Sequence, residues 1–150
     1  MLKISKIGSL LKRTYRIYSN NCLKRLEVKG FSDLRPSFLE ILFYICENPG
    51  SSIKDIGQGC GLKKQTMTSH LNELVKRGYI SRKINDQDKR EQNIFLTEYG
   101  EKFKFSLMES ISEIEQEFSS QVGSVELERV EHHLKNFHDK IYNKENTVIF

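Results

Sequence analysis

Between Leu62 and Leu74 the chain reads LKKQTMTSHLNEL, and its polar side chains are of the kind that bond base edges. Gln and Asn can pair with adenine, Ser and Thr can bond several bases, and a Thr methyl can meet the methyl of thymine. Such chemistry needs these groups on one face of a helix and an apolar anchor on the other. With about 100° per residue and Met67 at the origin, Met67, Leu71, Leu74 and Val75 gather on one side. Gln65, Ser69, Asn72 and Lys76 lie opposite, with Thr66 and Thr68 on the flanks. Thr, Ser and Asn are poor helix formers, so a surface helix built from them calls for a reason beyond solubility. The plainer reading is a solvated polar face.

Basic residues tilt that balance. Lys63, Lys64, Lys76, Arg77, Arg82, Lys83, Lys89 and Arg90 flank the stretch and can contact phosphates. Charge is also unevenly spread: residues 1–30 carry a net of +7, residues 53–95 a net of +4, and residues 96–150 a net of −5. One part of the chain suits a polyanion and another repels it.

Other chemistries find little support. Cys22, Cys46 and Cys60 are too widely spaced for a metal knuckle and form no even disulfide framework, which fits a reducing, cytoplasmic setting. His132, His133 and His138, beside Glu131, lack the i, i+4 pair that puts two imidazoles on one face, so no metal site is expected. No phosphate-binding loop, dinucleotide fingerprint or nucleophile–base pair stands out, and neither an enzyme nor a cofactor is expected. With 29% charged and 37% hydrophobic residues the composition is that of a soluble globular domain, and no apolar run approaches a membrane span. The basic start, MLKISKIGSLLKRTYR, lacks the features of a secretory signal.

The elements that must position the polar face follow from periodicity. A first helix is predicted over about 5–28, interrupted by Gly30 and Ser32; Pro36 suits the first turn of a second, mostly apolar helix. After ENPGSS, Ser51 or Ser52 can cap the short helix IKDIGQGC, and Gly61 separates it from the polar-faced helix. Gly78 ends that helix, and YISRKI and QNIFLT read as a β-hairpin with the charged tip NDQDKRE. Long helices follow from about 98 and, capped by Ser124, to near the C-terminus. Leu107, Ile111, Ile114 and Phe118, then Leu127, Val130, Leu134, Phe137 and Ile141, form stripes that so small a monomer would strand.

A short helix, a tight turn, a polar-faced helix and a basic two-stranded ribbon come in the order of a winged helix-turn-helix. The expected fold is mostly α with a small β-hairpin wing and long N- and C-terminal helices, in one domain of residues 1–150. Winged helices also serve as protein–protein interaction modules, which is the alternative function.

Residues 34–100 carry a more specific signal: the ENPG turn, the helix pair joined at Gly61–Leu62, the LNELVKRGYI ending, and the DKR wing followed by LTEYG. In these features the chain resembles the MarR family of transcriptional regulators. The resemblance implies a homodimer on a pseudo-palindromic operator in double-stranded DNA, acting as a repressor that a ligand or stress signal releases. It assigns 1–33 and 101–150 to a helical dimerisation region and 34–100 to the DNA-binding lobe. Lys64, Gln65, Thr66, Thr68 and Ser69 fall at base- and phosphate-contacting positions. In the wing, Asp88 braces the tip and Arg90 reaches the minor groove. Lys63 departs from the family's pattern, standing where a capping Ser or Asp is usual. The family also implies a small aromatic or phenolic effector, for which Tyr15, Tyr18, Phe38 and His70 are candidate lining residues; core packing is the competing reading of each. Cys22 does not align with the family's sensing cysteine, and all three thiols read as buried and inert.

Overall fold

The fold rests on a computed structural model, which describes residues 2–145 of the 150. In chain order the elements are α1 (Lys3–Val28), α2 (Pro36–Glu47), β1 (Ser51–Ser52), α3 (Ile53–Cys60), α4 (Lys64–Lys76), β2 (Ile80–Ile84), β3 (Gln92–Leu96), α5 (Glu98–Val122) and α6 (Ser124–Glu145). They divide into two compact units, Met1–Ile111 and Ser112–Phe150.

In the first unit α2 is the central helix. Pro36 starts it, and Phe38, Leu39, Ile41, Leu42, Ile45 and Cys46 are all buried, so it is apolar on most sides as its sequence predicts. The Ser52 hydroxyl caps α3 by accepting from the Asp55 N–H at 3.1 Å. Gly61, at φ +65°, ends α3 in the left-handed conformation that glycine adopts without strain. α4 then buries Met67, Leu71 and Leu74. Val75, expected on the same stripe, is 38% exposed. It lies about 80° round from Met67, farthest from the centre of the stripe.

The ribbon is the predicted hairpin, paired antiparallel from Ile80↔Leu96 to Ile84↔Gln92. It gains a third strand that the sequence reading lacks: β1 pairs antiparallel with β3 through Ser51↔Ile94 and Ser52↔Asn93, giving the order β1-β3-β2. Two residues are too few to leave a period, and the strand is fixed from outside. The Asn93 side-chain amide donates to the Gly50 carbonyl at 2.8 Å, and the Gly50 N–H donates to the Ile94 carbonyl at 3.0 Å.

Helix α4, the wing and α5 meet at Tyr79. Its ring is fully buried with centroids 6.3 Å from Phe31, 5.0 Å from Tyr99 and 5.4 Å from Phe103. Its hydroxyl donates to Asp33 Oδ1 at 2.6 Å. The Thr97 N–H donates to the Tyr79 carbonyl at 3.1 Å, and the Thr97 hydroxyl caps α5 by accepting from the Gly100 N–H at 3.0 Å. Gly100 is pressed against the same carbonyl: a Cβ built there would stand 2.1 Å from the Tyr79 oxygen.

The second unit is the end of α5 and all of α6. Gly123, at φ +86°, turns the chain between them. The expected cap at Ser124 is not the one used: α6 begins at Ser124 itself, and the Leu127 N–H donates to the Gly123 carbonyl at 3.1 Å. The left-handed glycine takes the capping place one residue earlier. Along α6, Val130, Leu134, Phe137 and Ile141 remain 44%, 43%, 37% and 39% exposed, so the stripe is not buried within the chain. Among the described residues no helix is long and apolar enough to cross a membrane.

Backbone against backbone leaves a methyl at position 100 nowhere to go. Gly100→Ala should therefore cost about 1–3 kcal/mol of stability, read as a thermal midpoint several degrees lower; an unchanged midpoint would contradict the close approach.

Candidate nucleic-acid interface

The face that α4 leaves free is the one its sequence marks out. Lys63, Lys64, Gln65, Thr66, Thr68, Ser69, Asn72 and Lys76 are all exposed, while the three buried anchors hold the opposite side. The Thr68 hydroxyl donates to the Lys64 carbonyl at 2.9 Å, so its oxygen faces outward as an acceptor. Asn72 is tied to the wing: its Oδ1 accepts from Arg82 Nη2. Arg82 is half-buried rather than reaching outward like its basic neighbours.

The N-terminus of α4 is electrostatically unfinished. Lys63 occupies the capping position in an extended conformation, makes no capping hydrogen bond, and no acidic residue sits in the first turn. Lysines there oppose the positive end of the helix dipole and leave the first N–H groups open to an anion.

The wing tip is built by two side chains. Asn85 Oδ1 accepts from the N–H groups of Gln87 and Asp88 at 2.9 and 3.2 Å. Asp88 Oδ1 accepts from the Arg90 N–H at 3.0 Å and from its Nε at 3.4 Å. Asp88 thus braces the tip as expected, and the Arg90 side chain stands 94% exposed. Asn85 went unnoticed in the sequence, although Asn opening a polar turn commonly bonds its own backbone two residues on. On β2, Lys83 Nζ lies 4.8 Å over the Phe95 ring.

Between α3, the first turns of α4 and the tip lies a cleft of about 870 Å³. Lys64, Thr68, Asp88, Lys89 and Arg90 border it, as the sequence reading brings together. Lys54, Gln58 and Gln92 border it as well and were missed. Lys54 had a signal of its own: it is a lysine in the first turn of a helix, where an acid is the favoured choice.

The four candidate effector residues form two pairs. Tyr15 and Tyr18 lie along α1 with ring centroids 6.1 Å apart. Burial raises both phenols above their ordinary range, helped by Glu40 at Tyr15 and by Cys22 at Tyr18. Phe38 is fully buried and meets His70 edge-on at 5.2 Å, with the Arg35 and Arg77 guanidiniums 4.3 and 5.0 Å from its ring. Partial burial, then the Arg35 charge, hold the His70 imidazole below its ordinary range. On α6, His138 is bonded to Asp139 at 3.2 Å and stacked on Tyr142, and His132 contacts Asn136 at 3.1 Å. Among the described residues no group of three or more His, Cys, Asp or Glu could hold a metal ion.

Two helices joined at a left-handed glycine, the second with a free polar face, followed by a braced basic wing, define a winged helix-turn-helix. The MarR family model matches residues 32–91. The HTH-type transcriptional regulator SarZ of Staphylococcus aureus (strain MRSA252) is 29% identical over 103 residues, covering 69% of this chain and 68% of that protein. Among solved structures, Streptococcus pneumoniae FabT in complex with DNA superposes with a TM-score of 0.75 at 17% identity, covering 94% of this chain and 99% of that one. The transcriptional repressor CouR bound to a 23-mer DNA duplex gives 0.76 at 20% identity, covering 92% and 99%. Over its winged-helix lobe the chain is similar to the MarR family of regulators.

Cys22 and Cys46 are buried and Cys60 half-buried. Burial raises all three thiols; those of Cys46 and Cys60 are pushed up to about 11, with Lys104 partly opposing the rise at Cys46 and Glu40 adding to it at Cys60. A thiol two units above its ordinary value of 9.0 holds about a hundredfold less thiolate at pH 8. Iodoacetamide should accordingly label Cys60 about a hundredfold slower in the folded protein than in urea at that pH, gaining about tenfold per pH unit up to about 11. Rapid labelling of the folded protein at pH 8 would contradict this.

Proposed function

We propose that this chain is a sequence-specific, double-stranded-DNA-binding transcriptional regulator. It acts in the cytoplasm as a homodimer on a pseudo-palindromic operator and represses until a ligand or stress signal releases it. The observation that carries the reading is the division of α4. Met67, Leu71 and Leu74 are buried, while the poor helix formers Thr66, Thr68, Ser69 and Asn72 are exposed beside an uncapped basic N-terminus.

Placed in a major groove, Gln65, Thr66, Thr68, Ser69 and Asn72 present short donors and acceptors to base edges, and short side chains let the backbone approach. Lys63, Lys64, Lys76 and Lys89 meet phosphates, and the first-turn lysines lose their dipole penalty when an anion arrives. Arg90, held at the tip by Asp88, enters the flanking minor groove, most favourably where A·T pairs narrow it. FabT and CouR, whose structures carry DNA, share this fold.

Dimerisation accounts for the apolar surface. Ile4, Leu10 and Ile17 of α1 are 58%, 55% and 61% exposed, and the α6 stripe is uncovered too. In this reading residues 1–33 and 101–150 are the dimerisation region and 34–100 the DNA-binding lobe. A small aromatic or phenolic effector would act on this region through Tyr15, Tyr18, Phe38 or His70.

Titrating duplex fragments over a range of salt tests the reading. The logarithm of the affinity should fall linearly with that of salt, by about 0.9 per phosphate neutralised, and Lys64→Ala or Arg90→Ala should each reduce the slope by about 1. Lys63→Ser should weaken binding and flatten the slope. Absence of salt-dependent binding to any duplex would overturn the proposal in favour of a protein-interaction module.

A further inference from the structure

The bond between Arg82 on β2 and Asn72 on α4 gives Arg82 a part that the phosphate-contact reading does not include. Asn72 is exposed midway along the face of α4, yet its carbonyl oxygen is taken by a guanidinium from the wing. Arg82 lies opposite the buried Ile94 in the sheet register, so its stem starts on the inner side of the ribbon. Its Nε is buried and, among the described residues, finds no acceptor. If the Asn72 amide turned its oxygen outward, the exposed Nη2 donor would lose its protein partner while Nε stays buried without one. A hydrogen bond from a charged donor is stronger than one from a neutral donor, so the amide orientation that accepts it is favoured.

We infer that Arg82 is a positioning residue: it fixes the orientation of the Asn72 amide, so that Asn72 offers its Nδ2 donors, and not its oxygen, to the groove. The inference rests on the DNA-binding reading for its consequence, though not for the orientation itself. Bidentate pairing with adenine needs an amide oxygen to accept from N6 while the nitrogen donates to N7. A guanidinium on the oxygen disfavours that arrangement. Asn72 then donates to groove acceptors, of which guanine offers two neighbours (O6 and N7) while adenine (N7) and thymine (O4) offer one each, and it does not make the bidentate adenine pairing that its residue type suggests. Because the constraint comes from β2, movement of the wing is felt at a base-reading side chain on α4.

Two measurements separate the orientation from its consequence. In the free protein, the Asn72 side-chain amide resonance, assigned by its loss in Asn72→Ala, should be rigid. It should become as mobile as other exposed amides in Arg82→Met, with rigidity partly restored in Arg82→Lys. Equal mobility in wild type and Arg82→Met would overturn the inference whether or not the protein binds DNA. In selection from a random duplex pool, wild type should prefer G over A at one position of each half-site by about fivefold or more. Asn72→Ala and Arg82→Met should both abolish that preference while preferences elsewhere persist. A uniform loss of affinity in Arg82→Met with every preference intact would make Arg82 a phosphate contact and sink the inference. Failure of wild type to bind any duplex would instead sink the regulator reading, and the amide dynamics would still decide whether Arg82 holds Asn72.

Discussion

The backbone at Tyr79 is where the lobe is fastened. Five segments converge there: the end of α4, the start of β2, the end of β3, the start of α5, and the linker that carries Phe31 and Asp33. The tyrosine fills the space between them with its ring and satisfies its buried hydroxyl on Asp33. Its carbonyl receives the Thr97 N–H, and the Thr97 hydroxyl completes the junction by bonding the Gly78 carbonyl while it caps α5. The approach is so close that only glycine fits at position 100. With the C-terminal end of α4 and the root of the wing sharing one anchor, the polar face and the ribbon are held in a fixed relation. The LTEYG segment is accordingly a fastening, in which Thr97 caps, Tyr99 packs and Gly100 makes room.

What the junction holds steady at one end is left unfinished at the other. α4 enters with two lysines and no cap, α3 carries Lys54 in its first turn, and Arg90 projects from a tip whose backbone is bonded by Asn85 and Asp88. The lysines at the two helix starts are mildly unfavourable for the isolated protein. They become favourable if a chain of phosphates lies along the cleft that Lys54, Lys64 and Arg90 border and that Lys63 adjoins in sequence. Local rules broken together on one surface, while the core obeys them, are the mark of a surface selected for binding rather than for stability. Lys63, an anomaly if judged as a cap, belongs to this set.

The elements with strong periodicity were legible in the sequence. α2, α3, the hairpin and the buried anchors Met67, Leu71 and Leu74 stand where 3.6- and 2-residue patterns and the Gly and Pro positions put them. The polar face of α4 followed from its anchors. What escaped reading depends on partners distant in sequence or on single-residue geometry. β1 exists because β3 and Asn93 hold it, not because Ser51–Ser52 prefers a strand. Val75 lies at the edge of its stripe, where a helical wheel cannot decide burial. Gly123 displaced Ser124 as the cap of α6 because a left-handed glycine already turns the chain. The Arg82–Asn72 bond joins residues on two elements, and residue type alone gave each of them a different partner.

In the proposed complex, two copies of the lobe present their α4 faces to successive major grooves while the wings flank them. Hydroxyl-radical footprinting of a bound duplex tests it most directly. Protections are expected on both strands in a two-fold pattern, with half-site centres about 10 base pairs apart and added minor-groove protection outside each where Arg90 enters. A single protected tract without two-fold symmetry, or protection that survives replacement of Gln65, Thr66, Thr68 and Ser69 by alanine with its boundaries unchanged, would contradict it.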